Sequence, residues 1–322
     1  MPPYRNGDNH MVLLIILLAL AAIVLLIAYI CYRMAFYSDR RPKPNAEEYS
    51  IPEGEIYEPF RDQMIQWIKE ARAMPHENMS IQSFDGLTLR GKYYEYAPGA
   101  PIELMFHGYR GSSERDMGGG VQRCFALGRS ALIVDQRASG NSEGHVITFG
   151  VKESQDCLSW LDFMQERFGP EARIILTGIS MGASTVLNAA GYPLPSNVIG
   201  VLADCGFDSP RNIMYKVIKE DLHLPPKIAY PFVRLGAILF GKFDPDSVTS
   251  IDSVRRATVP VIFFHGEDDA FVPKEMSKAN FDACPTRKAL VITPNAGHGL
   301  SFPVDQEGYI QKLREFFPEA ST

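Results

Sequence analysis

Six short apolar runs punctuate the chain at residues 102–106, 131–135, 174–177, 198–203, 259–264 and 289–292, and helical patterns, notably 151–167 and 181–190, lie between several of them. A strand that is apolar on both faces must be covered on both faces. The rhythm therefore confines the chain to an α/β fold: a mostly parallel central sheet flanked by helices, with functional loops at the carboxyl ends of the strands. Residues 79–83 and 87–96, separated by Asp85-Gly86, predict a β-hairpin ahead of that sheet. Residues 209–256 break the rhythm. They hold helix-like apolar segments such as 228–240 but no strand pattern, which predicts an inserted helical cap.

Residues 11–30 read MVLLIILLALAAIVLLIAYI, without a charge, Gly or Pro. A helix of that length spans about 30 Å, the thickness of a bilayer's hydrocarbon core. A cleaved signal has a shorter apolar region of about 7–15 residues, and the small-residue site Ala19-Leu20-Ala21 lies inside the apolar stretch here. An uncleaved single-pass anchor is expected, with Tyr29, Tyr32, Phe36 and Tyr37 as an aromatic belt where the helix leaves the membrane. The first 43 residues carry Arg5, Arg33, Arg40, Arg41 and Lys43 against Asp8 and Asp39, a net +3 within a chain total of −6, so the remainder carries −9. That balance argues against a nucleic-acid-binding body. Four of those five basic residues follow the helix, which favours the cytoplasmic over the extracellular side for the globular body, although long domains also translocate despite flanking charge.

The chain thus divides into an anchor with its basic flank (1–43), a linker and amphipathic helix (44–75), and a globular domain (76–322) that includes the cap at about 209–256. In the linker, Pro42, Pro44 and Pro52 exclude a continuous helix. Residues 59–74 place Met64, Trp67, Ile68 and Ala71 three and four apart, with Pro59 suited to a first helical turn. The five cysteines, Cys31, Cys124, Cys157, Cys205 and Cys284, are scattered and never form a CxxC pair. Neither a disulfide framework nor a zinc site is suggested.

Gly178-Ile179-Ser180-Met181-Gly182 stands between a predicted strand and a predicted helix. A serine there sits on a sharp turn with its hydroxyl above the sheet, and the helix directs N-terminal N–H groups at developing negative charge. Three further segments follow strands in the order a Ser, Asp, His triad requires: HGYRGS at 107–112, GEDDAFVP at 266–273 and AGHG at 296–299. DQRASGNSEG at 135–144 ends another strand. With these pieces the sequence resembles the α/β-hydrolase superfamily, specifically bacterial serine hydrolases related to serine aminopeptidases and prolyl oligopeptidases. The resemblance covers about residues 76–317, and Ala138 stands where Gly is common. It implies Ser180 as nucleophile, His298 as general base, Asp269 as orienting acid, and backbone N–H groups of Tyr109 and Met181 as the oxyanion hole.

The implied activity is a membrane-anchored serine hydrolase cleaving carboxylic esters through an acyl-enzyme, with a small acyl ester as substrate and no metal or organic cofactor. Peptidase and thioesterase chemistry with the same triad, and an inactive hydrolase fold used for binding, are the alternatives. Asp204 is the second candidate for the acid, and Glu267 and Asp268 crowd Asp269. His107 is expected to brace the oxyanion loop. Cys205 is expected to be a small buried residue, and His145, His223 and His265 surface or satisfied core residues. Asp135 and Arg137 are expected to pair. Met214, Tyr215, Tyr230, Phe232 and Phe240 of the cap either line an acyl pocket or fill a small core.

Overall fold

The computed structural model describes residues 6–39 and 49–320. The six apolar runs become strands β3 (Ile102–Phe106), β4 (Ser130–Asp135), β5 (Ile174–Ile179), β6 (Val198–Asp204), β7 (Val261–Gly266) and β8 (Lys288–Thr293), preceded by β1 (Glu77–Gln82) and β2 (Thr88–Tyr94). They form one eight-stranded sheet in the order β1-β2-β4-β3-β5-β6-β7-β8. β1 and β2 are the predicted antiparallel hairpin, and β2 also joins β4 antiparallel. Every pairing from β4 to β8 is parallel, so the strand ends after β3, β5, β6 and β7 open on one edge.

The helices are α1 (Asn6–Ala35), α2 (Arg61–Ala73), α3 (Ser113–Ala126), α4 (Val151–Phe168), α5 (Met181–Ala189), α6 (Pro210–Glu220), α7 (Pro226–Gly236), α8 (Ser250–Val254), α9 (Lys274–Ala283), α10 (Ser301–Val304) and α11 (Gln306–Phe316). Trp160, Leu161 and Met164 of α4 and Val186 of α5 pack on the sheet with Leu104, Leu176 and Phe263. Tyr309, Leu313 and Phe316 of α11 cover Ile175, Leu202 and Ile262 on the other face. Pro59 lies in a 3-10 turn, Glu55–Phe60, just ahead of α2 and not in that helix's first turn.

One expected surface feature is instead core. Tyr32 and Phe36 were candidates for an aromatic belt in the interface, but both are buried in the protein. Phe36 meets Phe149 and Phe243 edge-on at 5.7 and 5.1 Å, and Tyr32 lies 5.8 Å from Phe240. α1 therefore ends inside a second core with α6, α7 and Met181. Tyr29 keeps the expected exposure. Arg5, Arg40, Arg41, Lys43, Pro42 and Pro44, on which the orientation and linker readings rest, lie outside the described residues.

Asp135 and Arg137 do not pair. Asp135 accepts from the backbone N–H groups of Ser113 and Asn141, fixing the loops beside β4, whereas Arg137 forks onto Asp156 and Asp85. The run 102–106 also hides a charge. Glu103 is fully buried in β3 and accepts from Arg123 (2.5 Å), Arg129 (2.6 Å) and Thr177 (3.0 Å).

Burial opposes the Glu103 charge, but the two guanidiniums outweigh it and hold the carboxyl at about 2, below its usual 4.5. A carboxyl depressed in the folded state stabilises the fold above its unfolded value and loses that contribution as pH falls through the folded one. Glu103→Gln removes the counter-charge of two buried arginines and should cost about 3–5 kcal/mol at pH 7. In urea titrations the gap to wild type should narrow as pH falls from 4.5 towards 2. A gap constant across that range would contradict this role for Glu103.

Candidate active site

β5 runs straight into Ser180, whose backbone is forced to φ 56° and ψ −118° before α5 begins at Met181. Positive φ is costly for a residue with a Cβ, and it persists here because the surrounding chain leaves no alternative. A methyl group on Gly178 would overlap the Gly182 carbonyl, and one on Gly182 would overlap the Phe106 carbonyl. Both glycines therefore permit close approach between β5, α5 and the end of β3. The Ser180 N–H donates to the Asp204 carbonyl at 2.8 Å, tying the turn to the next strand.

The loop after α9 and β8 brings His298 over this turn. Its Nε2 lies 2.9 Å from Ser180 Oγ and its Nδ1 lies 2.7 Å from Asp269 Oδ2. Asp269 is fixed in turn: Oδ1 accepts from the backbone N–H groups of Phe271 (2.9 Å) and Val272 (2.8 Å). Burial opposes its charge, yet the hydrogen bonds and nearby charges of His265 and His298 hold the carboxyl well below the usual carboxylate range. Asp269 thus stays ionised against an imidazole it can orient.

The loop after β3 closes the site from the other side. A methyl on Gly108 would touch Ser180 Cβ at 3.5 Å, so this loop lies directly over the nucleophile position. His107 is the expected brace: its Nε2 accepts the Gln136 backbone N–H at 3.0 Å and its Nδ1 reaches the Gly108 carbonyl at 2.7 Å. Gly108 N–H donates to Asp116. Tyr109 follows on the loop. Met181 opens α5, where the first N–H groups of a helix lack intrahelical acceptors. The two backbone groups expected to hold an oxyanion therefore come from two different elements, the loop after β3 and the start of α5.

Comparison with known proteins bears on the fold that carries this arrangement. Residues 104–250 match the family described as alpha/beta hydrolase fold. The Pyrococcus furiosus esterase Pf2001 superposes with a TM-score of 0.63 at 20% identity, covering 85% of this chain and 98% of that one. The chain has the α/β-hydrolase fold. Among relatives by sequence, YqkD of Bacillus subtilis is 26% identical over 59% of this chain, and protein bem46 of Schizosaccharomyces pombe 24% over 76%. The lysophosphatidylserine lipase ABHD12 of Danio rerio is 25% identical over 63% of this chain. The matches span 62% of YqkD, 78% of bem46 and 50% of ABHD12.

Within this fold the competing carboxylates are elsewhere. Asp204 is buried and accepts from Ser301 Oγ (3.2 Å) and Tyr309 OH (3.0 Å), and burial raises its pKa. Glu267 and Asp268 are exposed. Cys205 is buried beside the site, where desolvation pushes its thiol far up, so it offers no thiolate. Its sulfur lies within 4.8 Å of the ligand atoms of Asp269 and His298. Those two, however, are 2.7 Å apart, which is hydrogen-bond contact; two ligands of one tetrahedral zinc would stand about 3.4 Å apart. The cap aromatics divide: Met214 and Tyr230 are buried in the core that includes Met181, and Tyr215 and Phe240 pack on it from the rim.

Two residues escaped sequence reasoning. His265 is a satisfied core histidine as expected, but its Nε2 also lies 3.2 Å from Asp269 Oδ2. That nitrogen faces two acceptors, Asp269 and the Val272 carbonyl at 2.8 Å, so it carries the proton while Nδ1 meets Ser277 at 2.7 Å. The second is Tyr57, whose hydroxyl donates to the His298 carbonyl at 3.0 Å across 241 residues of chain. A His one residue before the strand-ending Gly266 is the only sequence signal for the first, and none marks the second.

Asp269→Asn should supply the wrong hydrogen-bonding partner and lower kcat about 10⁴-fold, whereas Asp268→Asn should have little effect. Tyr57→Phe, which frees the His298 backbone, should lower kcat about 10-fold with KM unchanged. Steady-state kinetics on a p-nitrophenyl ester measures all three. A larger loss for Asp268→Asn than for Asp269→Asn would reject the assignment.

Proposed function

We propose that this hydrolase is a membrane-anchored serine esterase that works through an acyl-enzyme. The observation that carries the reading is His298 bridging Ser180 and Asp269, with hydrogen bonds of 2.9 and 2.7 Å on its two nitrogens. In this reading His298 Nε2 takes the Ser180 proton as Oγ attacks the acyl carbon, then returns it to the leaving alcohol. Asp269 keeps the proton on Nδ1 and balances the imidazolium. The N–H groups of Tyr109 and Met181 bind the oxyanion, each such donor contributing about 2.7–4 kcal/mol at the transition state. Water then repeats the cycle on the acyl-enzyme.

Ester chemistry is favoured by relatives whose names are esterase and lipase. Anchoring is favoured by α1, whose 26-residue span His10–Ala35 holds an 18-residue apolar segment with a mean hydropathy of 3.5, long enough to cross a bilayer. The helices of 210–254 pack through Ile213, Met214 and Tyr230 against Met181, next to the nucleophile. That position suits an acyl-binding roof.

A panel of p-nitrophenyl esters of graded chain length, run beside peptide nitroanilides, tests the reaction class. Esters should be turned over with a preferred acyl length, and Ser180→Ala should lower kcat by about 10⁴-fold or more. Faster turnover of the nitroanilides, or an unaffected Ser180→Ala variant, would overturn the proposal.

A further inference from the structure

The helix α7 and the turn after it have two apolar faces. Tyr230, Val233, Gly236 and Ala237 are buried against the cap core and α1. On the other side Ile228, Pro231, Leu235 and Ile238 follow one another three and four residues apart, extended by Leu224 and Leu239. Ile228 is 67% exposed, Leu224 50% and Ile238 41%. Apart from exposed Lys227 and ion-paired Arg234, α7 is apolar on two sides, and two apolar faces call for apolar surroundings on both; among the described residues nothing covers the outer one.

Its neighbour shows where that face lies. A methyl on Gly236 would overlap the Ala28 carbonyl, so the backbones of α7 and α1 touch, and Phe240 meets Tyr29 at 5.2 Å. Ala28 and Tyr29 belong to the apolar stretch that ends at Ala35. From Ala28 to Ala35 the helix rises about 10 Å, comparable to the headgroup region outside the hydrocarbon core. An element in backbone contact with Ala28 cannot then stand clear of the membrane. The stripe residues carry no charge, and Arg211 and Arg234 beside them are paired with Asp246 and Asp244; the exposed cations Lys227 and Lys242 flank the stripe, which suits the phosphate level of a lipid surface.

We propose that the outer face of α7 and the following turn dock into the interface of the bilayer that holds α1. The partner is a phospholipid surface, and the inference rests on the reading of α1 as an anchor. It also sets the site at the membrane: the Tyr109 hydroxyl donates to the Ala35 carbonyl at 2.7 Å, so the loop over Ser180 is bonded to the end of the anchor. A substrate whose acyl chain is dissolved in the bilayer would reach Ser180 without crossing bulk water.

The test uses full-length protein in vesicles of phosphatidylcholine with a minority of phosphatidylglycerol, carrying Ile228→Trp, or Leu239→Trp at the other end of the stripe. Lys278→Trp on exposed α9 is the control, and the native Trp67 and Trp160 are buried in the body as a common background. Acyl-brominated phosphatidylcholine should quench about half of the fluorescence added at 228 or 239 and leave that at 278 unchanged, while acrylamide should do the reverse. Quenching of 228 by acrylamide alone would place the stripe in water and overturn the proposal. Shielding from both quenchers would mean that a second copy covers it, with the same consequence. Flotation separates the two readings: protein that floats with the vesicles but shows no bromine quenching keeps the anchor and loses the docking face, and protein that does not float loses both. In the same vesicles, the double variant Ile228→Glu with Ile238→Glu should turn over a long-chain ester several-fold more slowly and p-nitrophenyl acetate at the wild-type rate. Equal rates on the long-chain ester would contradict entry from the bilayer.

Discussion

Asp269 keeps a full negative charge away from water because donors meet both of its oxygens. Two are backbone N–H groups from its own turn, at Phe271 and Val272, and two are imidazoles, His298 at 2.7 Å and His265 at 3.2 Å. An isolated carboxylate in that place would take up a proton and lose its ability to orient a base. Four donors reverse the balance, so the charge is available under His298 throughout the physiological range. His265 matters in this account because it shares Oδ2 with His298 and so helps to fix the oxygen that orients the base.

The remaining geometry follows from close packing at the sheet's carboxyl edge. Ser180 adopts a positive φ because β5, α5 and the end of β3 converge where only glycines fit at 178 and 182. The same convergence sets the loop of His107 and Gly108 over the hydroxyl. His298 is reached from two independent supports, the imidazole by Asp269 and the backbone by Tyr57. Rigid support of this kind is what a reaction depending on aligned proton transfer requires. α1 adds a third connection, since it ends in a turn bonded through Ala35 to Tyr109.

Sequence alone made β3 to β8 legible, because each contains a short apolar run bounded by turn residues, and it made the Ser180 turn legible because its constraint is local. It located Asp269 through the spacing from Gly266 and Val272, which encodes the turn that donates to Oδ1. It could not show Glu103, a charge inside an apolar strand whose arginine partners come from positions 123 and 129. It misassigned Arg137, whose partners Asp85 and Asp156 lie 52 and 19 residues away rather than two. It also placed Tyr32 and Phe36 in a belt at the membrane surface, because an aromatic side chain at the end of an apolar helix reads the same whether it meets headgroups or a cap. Each of these depends on contacts between distant segments, which residue patterns do not carry.

The central claim is that Ser180 Oγ becomes covalently acylated during turnover. Acid-quenched reactions with a p-nitrophenyl ester, digested and analysed by mass spectrometry, measure that directly. The acyl mass should appear on the peptide containing Ser180, increase in Asp269→Asn only slowly, and be absent from Ser180→Ala. An acyl group on another residue, or ester turnover without any acylated peptide, would contradict the account.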